Sequence, residues 1–296
     1  MQGIYLILAG IVLIVASAFD IKTREVPDWL NYGFIISGVF LHCVESVVYQ
    51  NPVSILQSLA GAALMFGLAL LMFYGGQWGG GDSKLLIGLG AIMGFDISVF
   101  TRPFNLAAMP WLFNFLVNLI FAGVIYGALW SGYLAVKKRK KFVPEFRKML
   151  LLYKNYRISI FVAVFLFFIL SFFIPNVLLK LMLFVVIVFI VLGFYIWLFA
   201  KSVERSCLLK YVDPKELTEG DWIAKDVIIN GKYITGPKDL GIEKVKIKLL
   251  MKLKQQGKVK KILVKEGIPF VPSFLIAYFL MLCQGGFVLI FQNLIM

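Results

Sequence analysis

The stretch that decides the fold is Trp78-Gly79-Gly80-Gly81-Asp82-Ser83-Lys84. It lies between two apolar runs, residues 53–74 and 85–94. An ionisable residue between apolar segments of this length is costly to bury and is therefore a candidate functional residue. The three glycines remove every side chain from one approach to the Asp82 carboxylate. A second acid, Asp20, ends the first apolar run in the same way.

The composition indicates a polytopic helical membrane protein. The 296 residues are 60% hydrophobic and include 28 Phe, and the mean hydropathy is +0.88. The net charge is +14, but Lys and Arg concentrate in two blocks, 137–157 and 201–265, beside apolar runs. That distribution is typical of cytoplasmic loops facing an anionic leaflet. We therefore expect the lipid bilayer as a partner, and no nucleic acid.

The three cysteines give no sign of a metal site. They lack CxxC spacing, and the chain has a single histidine, His42. Zinc sites need clustered Cys and His ligands, so we expect no metal and no cofactor. We interpret Cys43 and Cys283, which lie in apolar runs, as small buried hydrophobic residues.

We predict an all-α polytopic membrane protein with about eight transmembrane helices and a small α+β cytoplasmic domain before the last helix. The predicted helices cover residues 3–19, 29–49, 53–74, 83–94, 110–136, 157–174, 176–200 and 272–296. The predicted domains are a catalytic transmembrane core (1–136), a basic cytoplasmic loop (137–156), two additional transmembrane helices (157–200), the α+β domain (201–268) and a C-terminal transmembrane helix (269–296).

The α+β domain carries its own local signals. Two β-rich runs, 222–229 and 232–235, flank Asn230-Gly231, which is a strong hairpin signal. Apolar residues recur with helical spacing over 242–256. Residues 260–265 alternate like a short strand. No catalytic constellation is visible in this domain.

The charge distribution also predicts the orientation of the helices. With eight spans, the turn at 21–28 and both basic blocks lie on one side. The opposite loops, near 51, at 95–109 and near 175, hold a single basic residue, Arg102. The termini are then outside, and Asp20 and Asp82 both lie at the cytoplasmic face.

Two aspartates at one depth suit an aspartic protease. Like charges a few ångströms apart cannot both ionise, so the pair shares a proton. One carboxyl then acts as a general base on water, and the other polarises or protonates the scissile carbonyl. No Ser–His pair competes, because His42 is predicted near the other face.

The residues around both acids resemble a known family. Gly79-Gly80-Gly81-Asp82 is a GxGD motif, and Asp20 is followed by Lys22, Arg24 and Val26-Pro27-Asp28. Together they are similar to the prepilin peptidase family, in particular its archaeal preflagellin and prepilin peptidases. The resemblance covers roughly 1–135 and 260–290, including the stretches 79–94 and 267–278, and is weak over 137–200.

The resemblance implies a membrane aspartic endopeptidase with Asp20 and Asp82 as its catalytic pair. It implies cleavage of short basic (class III) leader peptides from prepilin or prearchaellin precursors at the cytoplasmic face of the cell membrane. Residues Gly79, Gly80 and Gly81 would then form the active-site backbone. Bacterial members often add a cysteine-rich domain and N-methylate the product. No such cysteine set is present, so we expect no methyltransferase activity.

Other interpretations remain open at this point. The glycines fit small-xxx-small helix packing. Lys22 and Lys84 are candidate supporting residues but also suit cytoplasmic anchoring, and Pro27 suits the first turn of the next helix. Two other functions compete: an intramembrane protease of the presenilin or signal-peptide-peptidase kind, which shares GxGD, and a proton-coupled transporter with a carboxylate relay.

Overall fold

A computed structural model describes residues 2–96, 99, 110–229 and 231–283. Most of the predicted loop 95–109, including Arg102, lies outside these residues. The chain divides into two units. One combines the residues up to Ala128 with those from Gly267 onward, and the other runs from Leu129 to Glu266.

The described residues form ten α-helices and five strands. The helices are α1 (Gln2–Thr23), α2 (Asp28–Val48), α3 (Val53–Tyr74), α4 (Gly80–Met93), α5 (Trp111–Lys137), α6 (Arg139–Leu152), α7 (Lys154–Ser171), α8 (Val177–Val203), α9 (Lys244–Gln255) and α10 (Val271–Leu282). The strands are β1 (Leu209–Val212), β2 (Trp222–Ile223), β3 (Val227–Ile229), β4 (Lys232–Thr235) and β5 (Ile262–Lys265).

Within the described ranges, six helices are long and apolar enough to cross a membrane: α1, α2, α3, α5, α7 and α8. Helix α4 has 14 residues and measures about 21 Å, which is shorter than the roughly 30 Å hydrocarbon core. Helix α10 has 12 described residues, and 284–296 lie outside the described part. A mostly helical membrane protein with a small strand-containing region is thus confirmed, and the total of eight spans stays a prediction.

The short helix α4 is packed closely between α2 and α3. A Cβ atom on Gly90 would lie 2.3 Å from the Gly61 carbonyl oxygen of α3, and one on Gly61 would lie 2.3 Å from the Gly90 carbonyl oxygen. A Cβ on Gly38 of α2 would lie 2.8 Å from the backbone nitrogen of Ile92. Small residues therefore let three backbones approach one another, as membrane helix interfaces require.

Two helix ends next to the acids differ from the prediction. Helix α1 continues to Thr23, so Asp20 lies inside the helix instead of in the following turn. Helix α4 begins at Gly80, so two of the three glycines are helical. The glycine and charge signals that end a helix in a soluble protein were overridden by the packing of neighbouring helices.

The cysteine prediction is wrong in part. Cys43 and Cys283 are exposed on the protein, and Cys207 is the buried one. In a membrane protein an apolar run can bury its side chains in lipid, so hydrophobicity alone does not identify the protein core.

The second unit contains a three-stranded antiparallel sheet in the order β1-β5-β2 and a separate hairpin, β3–β4. The predicted hairpin is confirmed at β3–β4, where Gly231 has φ +76°. The predicted strand 222–229 is broken, because its first part, β2, pairs with β5 instead. The predicted helix and last strand appear as α9 and β5, and β1 was not predicted.

The glycine contact between α3 and α4 gives a stability prediction. Gly61→Ala places a methyl group against a backbone carbonyl that cannot turn away, so we expect a loss of about 1–3 kcal/mol. Gly67→Ala on the same helix meets no atom within 4 Å and should be neutral or slightly stabilising. Thermal unfolding of the two purified variants in one detergent measures the difference. Equal midpoints for both would contradict the close approach.

Candidate active site

Asp20 continues the buried face of α1. Ala9, Leu13 and Ala16 are at most 1% exposed, and their spacing of four and three residues leads to Asp20 four residues later. Asp20 is itself only 4% exposed. The helix therefore carries the carboxylate into the interior of the first unit, where it needs hydrogen-bond donors.

The donor comes from the far end of the chain. The backbone N–H of Val271 donates to Asp20 Oδ2 at 2.8 Å. Val271 is the first residue of α10, so the carboxylate lies at a helix N-terminus, where free N–H groups and the helix dipole favour negative charge. The sequence stretch 267–278, singled out above only by resemblance, thus contributes directly to the site.

Asp82 is placed by the glycines that precede it. Gly79 is the N-cap of α4, with φ −73° and ψ 167°, which makes Asp82 the third helical residue. The Gly79 backbone N–H donates to the Asp82 carboxylate. This hydrogen bond, from the N-cap backbone N–H to the side chain of the third helical residue, is one half of a capping box. The other half, which needs an N-cap side chain, is absent because the N-cap residue is glycine. The local sequence therefore fixes the direction of the acid.

The structure brings the two acids together. The charge of Asp20 acts on the Asp82 carboxyl, and α1 packs against α4. Asp20 is buried, whereas Asp82 is only partly buried. The charge of Asp20 also reaches Tyr126 of α5, which the sequence analysis missed.

The three glycines do not share one role. A Cβ on Gly81 would lie 3.3 Å from the backbone nitrogen of Val26, so Gly81 lets α4 approach the loop that follows α1. A Cβ on Gly79 meets no atom within 4 Å, and one on Gly80 meets only the ring of Phe73, at 4.0 Å. These two glycines leave open space beside Asp82.

The three candidate supporting residues have different environments in the structure. Lys84 Nζ lies 2.5 Å from Asp28 Oδ1 and 5.0 Å from the centre of the Tyr32 ring, so it joins the starts of α2 and α4. Pro27 precedes α2 as its N-cap residue. Lys22 is exposed near the end of α1. Of these, Lys84 is the one that contacts a second element of the site, through a partly exposed ion pair.

An aromatic cluster, which sequence analysis missed, packs beside the acids. The Trp78 ring lies 5.8 Å from that of Phe270 and 5.5 Å from that of Phe274. A Cβ on Gly123 would lie 2.9 Å from the Phe270 ring. The residue before the GxGD motif thus packs against the start of α10. Trp78, directly before the glycines, is the local sequence feature that could have indicated this contact.

A second polar cluster lies at the other end of α2. His42 Nδ1 lies 2.9 Å from Ser54 Oγ and 3.7 Å from Glu45 Oε2, and the Tyr5 hydroxyl donates to Glu45. His42 and Glu45, three residues apart on α2, therefore form one polar spot with Ser54 and Tyr5. Glu45 is 17 residues from Asp28 along α2, or about 25 Å, so this cluster is separate from the aspartates.

No group of three or more His, Cys, Asp and Glu side chains suited to a metal ion occurs among the described residues. The groups that the structure places at the site are two carboxyl groups and the backbone N–H donors of Val271 and Gly79.

Comparison with known proteins identifies a family that part of the chain resembles. Residues 7–132 match the sequence model of the type IV leader peptidase family. This part of the chain is related to the type IV leader peptidases. The resemblance found from the motifs is therefore confirmed, and both aspartates lie within the matched residues.

Archaeal leader peptidases are also similar in sequence. A preflagellin peptidase of Methanocaldococcus jannaschii is 36% identical over 87 residues, which is 29% of this chain and 37% of that protein. One of Methanococcus maripaludis is 29% identical over 121 residues, 40% of this chain and 52% of that protein. Prepilin peptidase EppA of Methanothermobacter thermautotrophicus is 24% identical over 169 residues, 54% of this chain and 44% of that protein.

The chain thus spans between 37% and 52% of the length of these three peptidases. No solved structure matches it.

The contact between Asp20 and α10 gives a second prediction. Arg24, at φ +63°, donates from its guanidinium to the Gly267 carbonyl and so ties the segment before α10 to the end of α1. We expect Arg24→Ala to speed hydrogen exchange of the Val271 amide roughly tenfold, because hydrogen bonds to charged groups contribute about 1.5–3 kcal/mol. Lys22→Ala, two residues away and exposed, is the matched control. Equal exchange at Val271 in both variants would show that Arg24 does not hold this segment.

Proposed function

We propose that the protein is a membrane aspartic endopeptidase with Asp20 and Asp82 as its catalytic pair. It removes short basic leader peptides from type IV pilin-like precursors, prepilin or prearchaellin, at the cytoplasmic face of the cell membrane. The observation that carries the proposal is the meeting of Asp20 from α1 with Asp82 from α4, close enough for one charge to act on the other. Each carboxylate also accepts a backbone N–H, from Val271 and Gly79 respectively.

The pair supports hydrolysis by general acid–base catalysis. Mutual repulsion keeps one proton shared between the two carboxyls. The ionised carboxyl removes a proton from a water molecule as that water attacks the scissile carbonyl carbon. The protonated carboxyl donates to the carbonyl oxygen. As the tetrahedral intermediate collapses, the peptide C–N bond breaks and the leaving nitrogen takes the proton that the first carboxyl removed from water. The second carboxyl recovers its proton from the hydroxyl formed on the carbonyl oxygen, which restores the pair to its starting state. The two carboxyls titrate as a pair, so neither is assigned one fixed role.

The open space beside Gly79 and Gly80 suits an extended peptide. A backbone without side chains lets the substrate main chain approach the carboxyl of Asp82. Asp82 is only partly buried, which suits entry of the water molecule that the reaction consumes. Both features favour cleavage at a membrane boundary, where a leader peptide joins an apolar helix.

The named relatives indicate the substrate class. Two of those compared are preflagellin peptidases and one is a prepilin peptidase. The match covers only part of each of these proteins. That this chain acts on the same class of precursor is therefore part of the proposal. The family match over 7–132 includes both aspartates.

The proposal predicts the effect of removing either acid. Asp20→Asn and Asp82→Asn each lose a titratable group while keeping the side-chain shape, so processing of a co-expressed precursor should fall at least a hundredfold. The measurement is the ratio of mature to precursor protein, with the new N-terminus identified by mass spectrometry.

Asp28→Asn is the matched control for this experiment. Asp28 is an acid of the same region, but its partner is Lys84 and its side chain is 67% exposed. An exposed ion pair contributes little, so we expect processing within a few-fold of the unaltered protein. Normal processing by either Asp20→Asn or Asp82→Asn would sink the proposed dyad.

The open glycines give a further prediction. Gly79 has an extended backbone conformation that any residue adopts, and a side chain there meets no protein atom. We therefore expect Gly79→Val to leave the thermal unfolding midpoint nearly unchanged and to slow precursor cleavage at least tenfold, because the side chain occupies the approach to Asp82. Unimpaired cleavage would mean that the substrate reaches the acids from another side.

A further inference from the structure

A strong positive surface surrounds α6 in the second unit. Residues 137–157 contain nine Lys and Arg and one acid, Glu145. Glu145 Oε1 lies 4.0 Å from Arg205 NH1, so this acid pairs with a basic residue outside the segment. It does not neutralise one of the nine. The excess of positive charge is therefore not balanced by residues of its own segment.

The turn between α5 and α6 concentrates five of these charges. Val136 and Lys137–Lys141 line a cavity of about 360 Å³. Lys138 Nζ donates to the Cys207 carbonyl at 2.7 Å and Lys137 Nζ to the Tyr133 hydroxyl at 2.9 Å, which fixes two of the five side chains. The first turn of α6 holds no acid, so positive side chains surround the positive end of the helix dipole. An anion at this turn would relieve that repulsion.

The exposed face of α6 combines positive and apolar side chains. Met149 is fully buried, and Phe142 packs against Phe199 of α8 with ring centres 5.4 Å apart. On the opposite face, spacings of three, four and four residues align Lys140, Val143, Arg147 and Leu151. Val143 is 42% and Leu151 73% exposed. A helix face of this kind suits the boundary between lipid headgroups and acyl chains.

The chain connections place this face at a membrane surface. Helix α6 directly follows α5 and directly precedes α7, and both neighbours are long and apolar enough to span a membrane. A 14-residue helix with nine basic residues in and beside it cannot enter the hydrocarbon core, because each buried charge costs several kcal/mol. It therefore lies along the surface of the bilayer.

We propose that the turn at 137–141 and the exposed face of α6 form a binding surface for anionic lipid headgroups. Lys140, Arg147 and Lys148 contact headgroup phosphates, while Val143 and Leu151 contact the upper acyl chains. The ligand class is a phosphodiester lipid of net negative charge. The surface is independent of the proposed peptidase activity.

The test titrates lipid into the full-length protein in detergent and counts the lipid molecules retained by native mass spectrometry. The probes are phosphatidylglycerol, zwitterionic phosphatidylcholine of the same chain length, and inorganic phosphate. We expect preferential retention of phosphatidylglycerol. In the triple variant K140Q/R147Q/K148Q its affinity should fall roughly fivefold for each charge removed. K140R/R147K/K148R, which keeps all three charges, should retain the lipid.

The matched control removes three lysines from elsewhere in the second unit. Lys248, Lys252 and Lys258 are exposed in and just after α9, and K248Q/K252Q/K258Q has the same net charge as the test variant. Its preference for phosphatidylglycerol should be unchanged. An equal loss in both triple variants would show a general charge effect and overturn the surface, as would equal retention of phosphatidylcholine. Displacement of phosphatidylglycerol by inorganic phosphate would also overturn it, because the site would then bind a free anion and not a lipid.

Discussion

The first unit depends on the hydrogen bond between the Asp20 carboxylate and the Val271 backbone N–H. A carboxylate buried among apolar helices loses its hydration, and without protein donors that loss amounts to several kcal/mol. Here the donor belongs to the first turn of α10, where N–H groups have no partner within the helix. This contact gives the buried acid a donor and gives one N–H of the helix end an acceptor. Arg24 and Trp78 add contacts to the same segment, through Gly267 and Phe270.

The second constraint is the close packing of α4. A helix of 14 residues is too short to span the bilayer alone, so its ends require protein around them. Gly38, Gly61 and Gly90 provide room for it between α2 and α3. The same packing sets the position of Asp82, because the acid lies in the first turn of α4. The packing glycines Gly38, Gly61 and Gly90 and the glycines before Asp82 therefore contribute to the same arrangement. Only the glycines before Asp82 belong to the GxGD motif.

The sequence predicted the elements better than their contacts. The bounds of α3, residues 53–74, were predicted as observed, because an uninterrupted apolar run between turn residues is a strong local signal. Both acids were also found locally, from a charge at the end of an apolar run. The contact of Asp20 with Val271 was not, because the two are 251 residues apart and the donor is a backbone N–H that every non-proline residue carries. The contact between Lys84 and Asp28, 56 residues apart, was missed for a related reason. Spacing rules predict which residues share a face of one helix, but not which residues of two helices come into contact.

The Asp20–Val271 contact also explains why the first unit is discontinuous in sequence. The family match ends at residue 132, and the second unit extends to Glu266 before α10 begins. A chain ending at the limit of the match would contain both aspartates, but it would lack the Val271 N–H that donates to the Asp20 carboxylate. Any segment inserted between α5 and α10 must therefore return the chain to the end of α1. This requirement fixes where the chain returns to the first unit, but it does not fix the fold of the residues in between. A second unit with its own sheet and core is therefore compatible with an unchanged pair of acids.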